Sequence, residues 1–475
     1  MRRLGNMALA RLRRGLSTGA TTWRRLDRAV LYASLGNAAS LVMGPVTVLL
    51  VTARLTPELQ GFYYTFGSLS LFSFFAEFGL GQAVMQFASH EWPRLSMTSR
   101  GAIQGEAEAH GRVTALTRGA LLWCAYLLVL LLLALILAGE FLFRTKGYEI
   151  HWRPQWLLLV ACFGVNFLLV PVWALLQGFH RIEAFWFYRL IQQILNALTL
   201  WGCLFFGARL WAPGFAGLVG LVWSISFLRR SYPDFLPSIT SARRESLTNT
   251  IAWRRDVWPM QWRTAISWMG AYFTGQALVP ITFRALGPAA AGRMGMTVTL
   301  AGVLGALSLN FINTKSPVFG SLVSNSDFGK LDLLFLRLLR TTILVMLAGA
   351  FAGLLGVEAL QLGHFEIARR LLDPVSFAMY LGFTATSGVV TALATYLRAF
   401  KREPFALLYA LTSGAILFTA SRLATRFGLR GMAAAALLIS GLVQLPIAIL
   451  MFARLRRLWT RRPMTLLSPS QGSST

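Results

Sequence analysis

The amino-acid sequence predicts an all-α polytopic membrane protein with about twelve transmembrane helices. Of its 475 residues, 56% are hydrophobic, and the mean hydropathy is +0.58. Apolar runs of about 20 residues, the length that crosses a bilayer as a helix, recur along the whole chain. These runs are continuous, whereas the strands of a transmembrane β-barrel alternate over stretches of about ten residues.

Run length and polar interruptions define twelve predicted spans. They cover roughly 29–53, 61–89, 119–143, 155–178, 183–207, 211–229, 258–283, 289–314, 333–357, 374–399, 404–424 and 429–453. The arginine-rich first 28 residues lack the long apolar core of a cleavable signal peptide. We expect them to form a basic cytoplasmic segment on anionic lipid, with an organellar transit peptide as the alternative.

Positive charge is distributed unevenly between the two sides of these spans. The formal net charge of +27 would suit nucleic acid, but the basic residues lie in the short segments between spans. With a cytoplasmic N-terminus, and with cations near the ends of spans counted with the adjoining segments, the inside segments carry 31 of the 45 lysines and arginines and the outside segments carry 12. Arg189 and Arg263 lie within spans. This positive-inside bias predicts that both termini are cytoplasmic, and it predicts no nucleic-acid partner.

Three pairs of similar segments predict an internal duplication. The first outside turn, ARLTPELQGFYYTFGSL at 53–69, and a later one, RALGPAAAGRMGMTVTL at 284–300, both place a proline four residues before a glycine. LLQGFHRIEAF matches YLRAFKREPFA, and LWAPGFAGLVGLVWSIS matches FGLRGMAAAALLIS, in the same order along each half. Six spans return the chain to the starting side, so the two repeats run in parallel topology.

The duplication predicts two six-helix lobes around a central cavity, which is a plan typical of transporters. The predicted organisation is a basic N-terminus at 1–28, an N-lobe at 29–230, a cytoplasmic linker at 231–256, a C-lobe at 257–455 and a basic, then disordered tail at 456–475.

Two predicted spans carry an arginine followed by small polar residues at helical spacing. Arg189 is followed by Gln192, Gln193, Asn196 and Thr199, and Arg263 by Ser267, Gly270 and Thr274. A charge within the bilayer costs about 2.5–3.5 kcal/mol on insertion scales, so such residues face a water-filled cavity or a partner. We therefore predict that Arg189 and Arg263 bind an anion. The alternative is that each side chain extends to the membrane interface.

Glu77 is the other charge well inside a predicted span. Three roles are open: a counter-charge for a cavity arginine, a proton or cation site that couples transport to a gradient, or a structural bond to a helix end. Gly79 and Gly81 follow it and permit close helix approach or a kink. Asn37 and Gln82, with Asn196, are predicted to line the cavity wall.

Motifs for other chemistry are absent from the sequence. It contains no GxxxxGK[ST] phosphate loop, no HExxH and no Cys/His cluster, so we expect no cofactor and no metal. The cysteines, Cys124, Cys162 and Cys203, all lie in apolar spans and are interpreted as small hydrophobic residues. The short outside connections also argue against an enzyme that acts on glycans at the outer face.

The segment LTPELQGFYYTFGSLSLFSFFAEFGLGQAVMQFASHE, 55–91, resembles the opening of Wzx-like polysaccharide flippases. These belong to the multidrug/oligosaccharidyl-lipid/polysaccharide exporter superfamily. The resemblance rests on a Pro-x-x-x-Gly turn at the head of the second helix and an acidic residue before a glycine. Here those residues are Pro57, Gly61, Glu77, Gly79 and Leu80.

This resemblance implies a non-enzymatic carrier in the bacterial inner membrane. It would move an undecaprenyl-diphosphate-linked oligosaccharide from the inner to the outer leaflet by alternating access, for O-antigen, lipopolysaccharide or exopolysaccharide assembly. Its partners would be that lipid-linked oligosaccharide, membrane lipids, a polysaccharide polymerase and other assembly proteins. Arg189 and Arg263 match the family's cationic cavity by role and not by a motif. The alternatives are a multidrug exporter of the same superfamily, a membrane glycan polymerase or ligase, and a non-transporting scaffold.

Overall fold

The computed structural model describes residues 2–71, 77, 79–144, 150–240, 275–400 and 402–461, with side chains from residue 28 to residue 459. Helices account for most of this part of the chain. They are α1 (Arg2–Arg54), α2 (Pro57–Ser70), α3 (Leu80–Glu91), α4 (Ala107–Phe143), α5 (Arg153–Leu168), α6 (Val170–Gly178), α7 (Ile182–Phe205), α8 (Trp211–Ser231), α9 (Phe235–Thr240), α10 (Leu278–Leu286), α11 (Pro288–Asn313), α12 (Ser316–Ser324), α13 (Phe328–Leu362), α14 (Glu366–Arg369), α15 (Pro374–Arg398), α16 (Ala406–Ile439) and α17 (Leu445–Arg461).

Short elements of other types interrupt the α-helices at two places in the described part of the chain. A 3-10 turn at Trp92–Arg94 leads into an antiparallel hairpin of β1 (Leu95–Met97) and β2 (Ile103–Gly105). A π-helical turn at Ser440–Gln444 joins α16 to α17. The hairpin lies between two predicted spans, in a segment that the sequence analysis leaves unassigned.

The predicted class, an all-α polytopic membrane protein, is confirmed. Eight helical segments in the described part of the chain are long and apolar enough to cross a membrane. Large apolar side chains such as Leu122, Phe351 and Leu442 are exposed on them. Such exposure is expected where a helix faces lipid, whereas in a soluble protein it would favour aggregation. The count of twelve spans stays a prediction.

Several predicted spans are broken at glycine or proline. The described part of the span predicted at 61–89 contains two helices, because α2 ends at Ser70 and α3 begins after Gly79, whose φ of 68° lies in the left-handed region. Pro171 stands at the start of α6, directly after the end of α5. Gly428, which lies between the spans predicted at 404–424 and 429–453, bends α16, with φ 59° and ψ −142°. Of the two alternatives left open for Gly79, close helix approach or a kink, the left-handed φ of Gly79 agrees with a kink.

The chain divides into two compact units. The first comprises Met1–Arg54 and Ser73–Trp262, and the second comprises Leu55–Phe72 and Arg263–Thr475. Helix α2 therefore groups with the C-terminal half, whereas the sequence analysis assigns all of 29–230 to one lobe. The predicted lobe boundaries stay a prediction.

Within the first unit, α7 is the central element for the predicted site. It packs against α1 on one side and α8 on another, while α5 packs on α4 and α8, and α3 packs on α6. The rings of Trp173 and Tyr188 stack with centroids 3.8 Å apart. Trp156 is buried, and its indole donates a hydrogen bond to the Leu135 carbonyl at 3.1 Å. Aromatic packing thus fixes α7 and its neighbours.

Within the second unit, α2 packs on α11 through the two Pro-x-x-x-Gly turns. A Cβ on Gly61 would clash with the backbone of Pro288, and a Cβ on Gly292 would lie 3.0 Å from the Pro57 carbonyl oxygen. Each glycine therefore receives the proline turn of the other repeat. The duplicated turns that the sequence matches are in direct contact.

Candidate functional site

Arg189 lies in the first two turns of α7 with its side chain exposed. Its Nη1 donates to the Gln192 Oε1 atom at 3.2 Å. Among the described side chains it forms no ion pair with a carboxylate. The nearest acidic residue on the same helix, Glu183, pairs instead with Arg28 at 3.6 Å. Arg189 thus presents a guanidinium whose charge no described group neutralises.

Gln192 is tied to α8 and not to an open cavity. Its Nε2 donates to the Ser224 hydroxyl oxygen at 3.1 Å and to the Gly220 carbonyl at 3.4 Å. Tyr188, one turn earlier, shares a hydrogen bond of 2.7 Å with the same Ser224 hydroxyl. This buried cluster holds α7 against α8.

Gln193 points to a different neighbour. Its Nε2 donates to the Gly36 carbonyl at 3.1 Å and to the Ser40 hydroxyl on α1. Two turns further along α7, the Trp201 indole donates to Thr47 at 2.9 Å. The amide stripe read from the sequence therefore divides between two helix–helix contacts.

The three predicted wall residues lie in different surroundings. The Oδ1 atom of Asn196 is buried, has no hydrogen-bond partner among the described residues, and lies against Gly220, where an added Cβ would clash with it. Asn37 is exposed on α1, next to Gly36, which Gln193 contacts. Gln82 is exposed in the first turn of α3. The structure places Asn37 and Asn196 on two helices that pack together, and Gln82 on another helix. Their role as a cavity wall stays a prediction.

Glu77 caps the start of α3. Its Oε1 atom accepts a hydrogen bond from the Gly81 amide at 2.9 Å, and its carbonyl accepts one from the Leu80 amide at 2.9 Å. A carboxylate at a helix start satisfies free amides and complements the positive end of the helix dipole. Of the three roles left open by the sequence, the bond to a helix end is present. The counter-charge and coupling roles stay predictions.

Arg263 and the polar residues that follow it, Ser267, Gly270 and Thr274, lie outside the described residues. The predicted pairing of Arg189 with Arg263 as diphosphate ligands therefore stays a prediction.

A group of residues that the sequence analysis does not select surrounds a cavity of about 300 Å³ in the second unit. We name it the arginine pocket, and it is lined by Pro57, Gln60, Ala289, Arg293, Glu366, Arg369 and Arg370. Arg293 is distant in sequence from the neighbouring Arg369 and Arg370, and all three count in the sequence analysis only as outside-loop charge. The pair Arg369-Arg370 before an aspartate-proline helix start is the one local signal that could have indicated it.

No protein-family model matches the chain, and no curated protein matches it. Solved structures match most of it. An inward-facing multidrug resistance MATE family transporter of the MOP superfamily is 15% identical and aligns over 91% of this chain and 98% of its own, with a TM-score of 0.61. Lipid II flippase MurJ, in an inward closed conformation, is 13% identical over 89% of this chain and 87% of its own, with a TM-score of 0.59.

An outward-facing MATE family transporter of the same superfamily is 13% identical and aligns over 93% of this chain and 97% of its own, with a TM-score of 0.56. Identities this low show the fold alone. The chain therefore has the fold of these multi-pass membrane transporters, and the choice of substrate has to be argued from its own residues.

Proposed function

We propose that the chain is a flippase that moves an undecaprenyl-diphosphate-linked oligosaccharide from the inner to the outer leaflet of the bacterial inner membrane, for surface polysaccharide assembly. One observation carries this proposal. Arg189 lies on α7 within the span predicted at 183–207, and its side chain is exposed and has no carboxylate partner among the described residues. A charge kept at such a cost favours an anionic ligand.

A lipid-linked diphosphate fits a cationic site for physical reasons. Its head group cannot cross hydrocarbon unaided, because unpaired polar groups there cost several kcal/mol each. Guanidinium groups replace its hydration with charge-assisted, often bidentate hydrogen bonds. In this proposal Arg189 and Arg263 contact the diphosphate, and Asn196, Asn37 and Gln82 offer hydrogen bonds to sugar hydroxyls.

The membrane potential, negative inside, favours the outward movement. Moving one negative charge outward gains about 2.3 kcal/mol per 100 mV, so a head group with about two charges gains roughly twice that amount. Both termini are cytoplasmic in this arrangement. A polysaccharide polymerase would take the product at the outer leaflet.

Reconstitution tests the proposal. Purified protein is placed in vesicles with a fluorescent polyprenyl-diphosphate oligosaccharide, and its accessibility to an external quencher is followed over time. We expect Arg189→Gln to lower the flipping rate at least tenfold. A matched control is Arg230→Gln, which removes an exposed arginine from the last turn of α8 and is expected to flip at the wild-type rate. Equal flipping by Arg189→Gln and wild type would contradict the assigned site.

A multidrug exporter is the second candidate, and the likeness to MATE family transporters favours it. An exporter of drug cations would bind them with acidic residues, so Arg189, which has no carboxylate partner among the described residues, counts against it. Loss of the gene distinguishes the two. Changed drug susceptibility supports the exporter, whereas lipid-linked units retained on the cytoplasmic leaflet support the flippase. Unpolymerised units on the outer leaflet would indicate a glycan polymerase.

A further inference from the structure

The arginine pocket has an excess of positive charge. Three arginines and one acidic residue, Glu366, line it, which gives a formal charge of +2. Arg293 and Arg369 are exposed and form no hydrogen bond or ion pair within the described part of the chain. A guanidinium carries five N–H donors in a fixed planar arrangement. Most donors around this cavity are therefore available to a ligand.

The third arginine, Arg370, is held in place by a buried glutamine. Arg370 Nη1 donates to the Gln60 Oε1 atom at 3.4 Å, while the Nε2 atom of that amide donates to the Gly292 carbonyl at 3.1 Å. Gln60 is only 1% exposed, so its amide cannot turn. The contact between α2 and α11 thus positions Arg370 before any ligand binds, which lowers the entropy cost of binding.

The backbone adds to the positive potential. Pro57 and Ala289, in the first turns of α2 and α11, line the pocket. The positive ends of two helix dipoles therefore supplement the three guanidinium groups. An anion meets favourable charge from side chains and backbone at once, whereas a cation meets only Glu366.

We infer that the arginine pocket binds a phosphate group, carried either by a lipid head group or by free phosphate. Arginine is the side chain best matched to phosphate, because its fork of donors makes bidentate contacts. The site is separate from Arg189 and does not depend on the proposed glycan substrate. On the predicted topology α2 and α11 begin at the outer side, so the phosphate would come from the outer leaflet or from outside the cell.

An adjoining cavity has room for whatever the phosphate is attached to. It has a volume of about 350 Å³ and shares Arg293 and Arg369 with the arginine pocket. Its other lining residues include Gln361, His364, Phe365 and Asp373. Ala368 and Leu371 complete the lining, so this cavity offers both polar and apolar contacts to the group that carries the phosphate. The two cavities together form a site in which the arginine pair lies between the two halves of a ligand.

Calorimetric titration of the purified full-length chain in detergent tests the inference. A background with both Arg189→Gln and Arg263→Gln is used throughout, so that neither arginine of the proposed substrate site contributes to binding. The probes are sodium phosphate and a short-chain phosphatidic acid, each at sodium chloride matched for ionic strength. We expect Arg293→Gln and Arg369→Gln each to weaken binding at least tenfold. Arg426→Gln, which removes an exposed arginine of the same unit away from both cavities, is expected to bind as the parent does.

Each outcome decides the matter. Binding of phosphate and phosphatidic acid with equal affinity supports a free phosphate ligand, and binding of phosphatidic acid alone supports a lipid head group. The inference is overturned if neither probe binds. It is also overturned if Arg293→Gln and Arg369→Gln both bind the probes as tightly as the parent does, with unchanged unfolding temperatures. A flipping assay that rejects the glycan substrate leaves these results unaffected.

Discussion

Gly61 lies directly against Pro288, although 227 positions separate them in the chain. The reciprocal contact, Gly292 against Pro57, is 3.0 Å from an ideal Cβ to the carbonyl oxygen. The buried Gln60 amide bonds across the same contact, to the Gly292 carbonyl. The repeated turn of each half of the chain is thus a packing surface for the other, and the missing Cβ atoms are what permits the approach.

Replacing Gly61 by alanine is expected to destabilise the second unit. The new methyl group meets backbone atoms of Pro288, which cannot move aside as a side chain would, and overpacking of this kind costs about 1–3 kcal/mol. The measurement is the unfolding temperature of the purified protein in detergent. Gly67→Ala on the same helix is the control, since its added Cβ meets nothing within 4 Å; a fall as large as that of Gly61→Ala would contradict the contact.

Gln192→Leu is expected to lower the unfolding temperature, because the Ser224 hydroxyl and the Gly220 carbonyl lose a buried donor. The loss of such a bond costs about 1–3 kcal/mol. Gln82→Leu is the comparison. That side chain is exposed, so its replacement should leave the unfolding temperature unchanged and affect only the flipping rate, as a cavity-wall residue would. An unchanged unfolding temperature in Gln192→Leu would contradict a structural role.

Two substitutions of Glu77 distinguish a helix-capping role from a role of its charge. Glu77→Ala removes the acceptor of the Gly81 amide and should cost about 1 kcal/mol, as loss of a helix cap does. Glu77→Gln keeps an oxygen acceptor and should unfold at the wild-type temperature. If Glu77→Gln is stable yet its flipping no longer responds to an imposed pH gradient, Glu77 is the coupling charge; flipping that responds as in wild type leaves it as a cap.

Asp373 is expected to make the stability of the second unit depend on pH in the acid range. Partial burial acts to raise the pKa of this carboxyl, but hydrogen bonds from Ser376 and the charge of Arg430 outweigh burial and hold the pKa below its ordinary value. A lowered folded-state pKa contributes stability that is present above the unfolded pKa, about 3.9, and is lost as the pH falls through the folded value.

The unfolding temperature should therefore fall less steeply between about pH 5 and pH 3 in Asp373→Asn than in wild type. Scanning calorimetry across this range is the measurement. Asp327→Asn, which removes an exposed aspartate paired with Lys330 at 2.7 Å, controls for the loss of a surface carboxylate. If the unfolding temperature of Asp373→Asn falls with pH as steeply as that of wild type, Asp373 does not contribute to the acid dependence.

The membrane class follows from the sequence because apolar length alone dictates it. The breaks near Gly79 and Gly428 are also visible there, since glycine is the residue that tolerates left-handed backbone. The pairing of α2 with α11 is not visible in the sequence, because a repeated turn indicates a duplication but does not indicate that the two copies are in contact. The matched motif therefore predicts a duplication, which stays a prediction, and gives no packing partner.

The candidate site is less predictable for a geometrical reason. Gln192 and Gln193 are neighbours in sequence, but successive residues point about 100° apart around a helix. One amide therefore meets α8 and the other α1, and a polar stripe that bonds two neighbouring helices has the same spacing as one that lines a cavity. The arginine pocket escapes sequence reasoning because Arg293 and Arg369 meet only in the folded chain.

The partnership of α2 with α11 has a consequence for biosynthesis. Gln60 bonds a residue 232 positions later, and chains grow at about 5–20 residues per second, so α2 waits for roughly 10–50 s before its partner leaves the ribosome. During that interval the face of α2 that carries Gly61 lacks its packing partner in the nascent chain. Slowing or truncating translation between the two turns should therefore lengthen the exposure of α2 to membrane quality-control proteases.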